Sequence, residues 1–89
     1  MKRKQFNPQL QAAYLEIVEN QLRDNNPPET RQTFDRLRGL KISERDAKLL
    51  IASAVAVETF EIMKTNEPFD RDRLIRNLQM LPDQSFIDE

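Results

Sequence analysis

Carboxylates are the side chains in this sequence whose type and placement could build a reactive or metal-binding site. The chain has no His and no Cys. That removes the commonest general base, the commonest transition-metal ligand and every thiol-based site. Among the carboxylates Glu58 stands out. With one residue about every 100° around a helix axis, it falls between Ala47, Ile51, Ala54 and Ile62, near the middle of an apolar arc. Glu61 lies at the edge of that arc. Glu19, on an earlier segment, lies at the edge of another apolar arc, beside Leu15 and Leu22.

A carboxylate inside an apolar arc is costly unless it is paired, hydrogen-bonded, metal-bound or protonated. In the structural reading, Glu58 meets an Arg of the second helix or the N-terminus of a neighbouring helix. This is the favoured reading, because buried ion pairs far outnumber catalytic ones. In the functional reading, Glu58, Glu61 and Glu19 form an all-oxygen site for a hard cation such as magnesium, calcium or manganese, or for a small ligand. Dinuclear carboxylate sites in helical bundles generally add His from a Glu-x-x-His pair, which this chain does not contain. No nucleophile–base pair and no nucleotide-binding motif is present. No catalytic residue and no cofactor is therefore assigned, and the balance leans against an enzyme.

Four helices must position these residues. The central one runs from Ser43 to Lys64, the longest stretch without Pro or Gly. Ser43 is a good N-cap and Asp46 stands three residues on, a variant of the capping box. Ala47, Leu50, Ile51, Ala54, Val55, Val57 and Ile62 form one broad apolar arc. Leu49, Ala52, Ala56, Phe60 and Met63 form a second, roughly opposite. A surface helix needs one apolar stripe; two mean contact on both sides. Asn7-Pro8 predicts the start of a first helix with Leu10, Ala13, Tyr14, Ile17 and Val18 on one arc. Asn26-Pro27-Pro28-Glu29 predicts a second, with Asn26 as cap, a stripe of Thr30, Phe34 and Leu37, and Gly39 as a left-handed C′ residue. Asp70 predicts the cap of a fourth, with Leu74, Ile75, Leu78 and Leu81 inward and Arg73 and Arg76 outward.

The expected architecture is all-α, a compact single domain of four helices at about 8–23, 27–38, 44–64 and 71–81, packed antiparallel around the third. A loose basic tail, 1–6, precedes it and an acidic tail, 83–89, follows. The chain has 89 residues, 33% of them charged, with a net charge of −1, which argues against a nucleic-acid coat or a membrane-surface protein. No apolar run approaches the roughly 20 residues that span a bilayer, and Lys2-Arg3-Lys4 is not followed by a signal-peptide core. A cytoplasmic protein is expected. Arg31, Arg36, Arg38 and Lys41 around a short turn look superficially like a helix-turn-helix. The next helix is apolar on two sides, however, where a major-groove reader must be polar, which argues against nucleic-acid binding and leaves it the third reading. The second arc, Leu49, Ala52, Ala56, Phe60 and Met63, is the candidate interface for a protein partner or a homodimer.

Several words occur together: Ile17-Val18-Glu19-Asn20-Gln21-Leu22, Pro27-Pro28-Glu29, Arg36-Leu37, Ser43-x-x-Asp46-Ala47 and Pro68-Phe69-Asp70. From about Asn7 to Leu81 the pattern resembles a family of small bacterial all-helical domains with no assigned function. The resemblance implies the same four-helix fold. It also implies His in the first helix and near the start of the central one. Here those stretches read Ala13-Tyr14-Leu15 and Arg45-Asp46-Ala47-Lys48-Leu49, so only Glu19 is carried over. The leading expectation is a small non-enzymatic helical module acting by protein association through the central helix.

Overall fold

The computed structural model describes residues 8–88. They form four α-helices and a short 3-10 turn: α1 (Pro8–Asp24), α2 (Pro28–Gly39), α3 (Glu44–Thr65), α4 (Arg71–Met80) and the turn Ser85–Asp88. Among the described residues there is no strand. The all-α, four-helix expectation holds, with each boundary within one residue or two.

α3 is the axis of the domain and packs against α1, α2, α4 and the C-terminal turn. Its 22 residues span about 33 Å at 1.5 Å per residue, as long as the longest dimension of the molecule, 33 Å. Both of its ends are fixed locally. Ser43 Oγ accepts the Asp46 backbone N–H at 3.1 Å. At the other end Asn66 turns left-handed, φ 60°, and returns its N–H to the Ile62 carbonyl. The main arc supplies the core: Ala47, Ile51 and Ala54 are wholly buried, with Val18 of α1, Leu37 of α2 and Leu78 of α4 around them.

Sequence periodicity misplaced several details. α1 is rotated from the expected arc. Val18 and Leu22 are buried and Leu15 and Tyr14 half-buried, while Leu10, Ala13 and Ile17 are exposed. Two overlapping apolar stripes compete on this helix, and packing against α3 selects the one centred on Val18. The helix cap expected at Asn7 and the tail 1–6 lie outside the described residues. α2 starts at Pro28 with Pro27 at the N-cap, and neither Asn26 nor Glu29 caps it; Glu29 instead accepts from Arg71 at 3.0 Å. Gly39 stays helical, and Lys41 takes the left-handed position with φ 72°. The reason is the Schellman pattern: the Lys41 N–H reaches the Arg38 carbonyl and the Ile42 N–H reaches the Leu37 carbonyl. That pattern carries Ile42 back onto the core.

The acidic tail also differs from expectation. Residues 85–88 turn back against α3, and Phe86 is buried at 6% exposure. Gln84 Nε2 donates to Ser53 Oγ at 3.0 Å, tying the segment to the flank of α3. An aromatic side chain with nothing periodic around it gives no helical signal, yet burying it contributes as much as a helical core residue.

Candidate functional site

Two faces of α3 carry the candidate residues. On the main face Glu58 is buried, 2% exposed, within the apolar arc as expected. Its charge is fully partnered. Arg73 Nε donates to Oε1 at 2.8 Å and Arg73 Nη2 donates to Oε2 at 3.1 Å, a two-pronged pair. The Asp70 backbone N–H donates to Oε2 at 2.8 Å. Asp70 in turn caps α4, its carboxylate accepting the Arg73 N–H at 3.1 Å. The start of α4 is thus clamped on α3 by one carboxylate that takes three hydrogen bonds.

The N-terminus of a neighbouring helix was expected here and is present. The Arg comes from α4 rather than α2, and Arg73 turns inward instead of out to solvent. α2's Arg36 is engaged elsewhere: it donates to the carbonyls of Leu81 at 2.6 Å and Leu78 at 2.9 Å, at the C-terminal end of α4. Cations are favoured at that end of a helix dipole. The Glu58 carboxylate raises the Arg73 guanidinium further above its ordinary range, so this side of the pair stays charged.

Of the other two carboxylates of the expected cation site, Glu19 is engaged by a different cation. Glu19 accepts from Lys48 Nζ at 2.7 Å, on the α1 side of α3, and Glu44 shares the same ammonium at 2.9 Å. The hydrogen bond that Lys48 donates to Glu19, then the one it donates to Glu44, raises the Lys48 ammonium above its ordinary value, and the same bond from Lys48 lowers the Glu44 carboxyl below its ordinary value. Glu61, one helical turn from Glu58 on α3, is near enough to Arg73 to add to its field, and it also lines the groove on the second face. Among the described residues no group of three His, Cys, Asp or Glu side chains is placed to hold a metal ion. Among them, too, every buried side-chain nitrogen and oxygen has a hydrogen-bond partner.

The second face of α3 forms the floor of a groove of about 710 Å³. Four of the five expected interface residues line it: Leu49, Ala52, Ala56 and Phe60. Met63 does not line it and is 75% exposed. Leu10, Gln11 and Tyr14 of α1 form one wall, and Gln84, Phe86 and Ile87 of the C-terminal segment form the other. The groove therefore exists because α2 and α4 both pack on the main face, leaving the second arc to α1 and a short turn. The sequence reading found the floor and missed the second wall, whose only sequence signal was the isolated pair Phe86-Ile87. Charged groups sit at the two ends: Asp46 near the start of α3, Glu61 and Lys64 near its finish. Among the described residues no helix is long and apolar enough to cross a membrane. Compared with known proteins, the chain matches no family model, no curated protein and no solved structure.

Proposed function

We propose that this protein is a non-enzymatic association module whose α3 groove docks an apolar stretch of polypeptide. The observation that carries this reading is the contrast within the groove. Small residues, Ala52, Ser53 and Ala56, make the middle of its floor, with Leu49, Leu50 and Val57 beside them, while Phe60, 52% exposed, rises at one end. A floor of that kind admits a helix at close range, and an exposed ring gives it an aromatic anchor. Helix-in-groove docking reads apolar anchors at helical spacing, and the groove's length along α3 offers that spacing. The carboxylates offer less. Glu58 and Glu19 are each held by a cation of this chain, which favours a structural role for both.

A photoreactive residue placed at Ala56 in the producing cells tests this reading, with the same residue at the exposed Arg76 as control. The expected result is a polypeptide adduct at Ala56 that is absent at Arg76 and lost when Phe60→Asp is added. Adducts to small molecules alone, or no adduct, would contradict it.

A further inference from the structure

We infer that the C-terminal segment, residues 84–88, is a movable wall. It swings off α3 while the four helices stay folded, and a docking helix reaches the groove floor only when it does; the inference rests on the docking reading above. From Asp46 to Lys64 the groove follows α3 for 18 residues, about 27 Å. Its volume of about 710 Å³, spread over that length, gives a mean section of about 26 Å². A helix with its side chains is about 10 Å across, a section of about 80 Å². The groove as it stands takes in side chains, and its two walls stop the body of a helix. One wall must give way before a helix can lie against Ala52 and Ala56.

The two walls are held very differently. α1 is a 17-residue helix with Val18 and Leu22 buried in the core and Glu19 bonded to Lys48. It cannot leave without opening the core. The other wall is a single 3-10 turn, Ser85–Asp88. The exposed residues Pro82 to Ser85 separate Phe86 from the buried Leu81 at the end of α4. The backbone bonds of the segment are local: the Ser85 N–H donates to Asp83 Oδ1 at 2.9 Å and the Ile87 N–H to the Gln84 carbonyl at 3.0 Å. Among the described residues, its one hydrogen bond to a helix is the exposed bond from Gln84 Nε2 to Ser53 Oγ. Phe86 is the main anchor, with Ile87 half-buried beside it. Burying one aromatic ring favours the closed position by about tenfold to a hundredfold, and one exposed hydrogen bond adds about threefold. The wall is then open in roughly one molecule in 30 to one in 300. A helix that binds only the open form is weakened by that same factor, and a change that frees Phe86 removes the penalty.

Native-state amide exchange on the full chain reads the opening directly. The Ile87 N–H is expected to exchange at least about tenfold faster than the Leu78 N–H of α4, which opens only with the core. Equal protection of the two would overturn the inference. Docking is then read with the wall locked. The chain has no native Cys, so Ser53→Cys and Gln84→Cys, at positions whose side chains meet at 3.0 Å, can be bridged by a short bis-alkylating reagent. The purified chain carries the photoreactive residue at Ala56, and the probe is the polypeptide captured there in cells. The bridge should cut capture at least about tenfold, and alkylating either single variant should not. Phe86→Ala, with its helical signal intact, should raise capture at least about tenfold. Capture unchanged by the bridge would overturn the movable wall and leave the docking reading standing. No polypeptide captured in any form would overturn the docking reading and this inference with it.

Discussion

The two faces of α3 meet the same problem, apolar surface along one helix, with opposite solutions. On the main face the core closes over Ala47, Ile51 and Ala54, and the single charge there, Glu58, is fully partnered by Arg73 and the Asp70 backbone. On the other face the walls stand apart, and a groove of about 710 Å³ runs over Ala52 and Ala56. The first face holds the fold together; the second leaves apolar surface along α3 only partly covered. Burial differs for a physical reason. α2 and α4 are both directed to the main face, α4 by its Glu58 clamp and by Arg36 at its far end. That leaves one helix and a four-residue turn for the second arc. Substitutions on the two faces should therefore separate, the first changing stability and the second changing association.

Glu58→Ala is the sharpest way to break the closed face. It strands Arg73 and the Asp70 N–H beside a small cavity, and breaking a buried pair of this kind costs about 3 kcal/mol. For a domain of this size the melting point should fall by more than about 10 °C. Association, measured well below that melting point, should be unchanged. If Glu58→Ala melts like the wild type, the clamp does not hold α4.

Asp70→Ala removes only the side-chain cap of α4 and leaves its backbone N–H on Glu58. A loss of about 1 kcal/mol is expected, by chemical denaturation, as for other N-cap truncations. A loss as large as that of Glu58→Ala would mean that the cap and not the buried pair fixes the start of α4. On the open face, Gln84→Ala cuts the bond to Ser53 Oγ that holds the second wall. The partners are partly exposed, so the cost to stability should be about 0.5 kcal/mol. The amide exchange of residues 85–88 should rise more than that of α4.

The smallest effect expected is pH dependence at the Lys48 cluster. Glu44 is lowered in the folded state, so its contribution is present above the ordinary carboxylate value and lost as pH falls through the lowered one. Lys48 is raised, so its contribution is present below the ordinary ammonium value and lost as pH climbs through the raised one. Melts followed into acid should show a shallow loss that Lys48→Met reduces. These groups are at the surface, and the effect should shrink with added salt.

Much of this was legible in the residues. Glu58's burial follows from its place on the wheel, and the caps at Ser43 and Asp70 follow from residue type and spacing. The second arc of α3 was likewise visible as a stripe, and it is the floor of the groove. Other features depend on distance in space and leave no periodic trace. Arg73 reads as an outward residue until α3 is placed beside it, 15 positions away in sequence. Phe86 sits in an acidic segment with no helical pattern, and only the fold brings it to the core. The rotation of α1 shows a third limit: with two overlapping stripes on one helix, local pattern does not choose between Ile17 and Val18, and packing does.

The central claim is that the buried Glu58 carboxylate closes one face of α3 while the other face forms an open groove. Chemical denaturation of the full chain carrying Glu58→Ala or Phe60→Asp tests this division most directly. The account predicts a loss of about 3 kcal/mol for Glu58→Ala and of about 0.5 kcal/mol or less for Phe60→Asp. Equal losses from the two substitutions would contradict it.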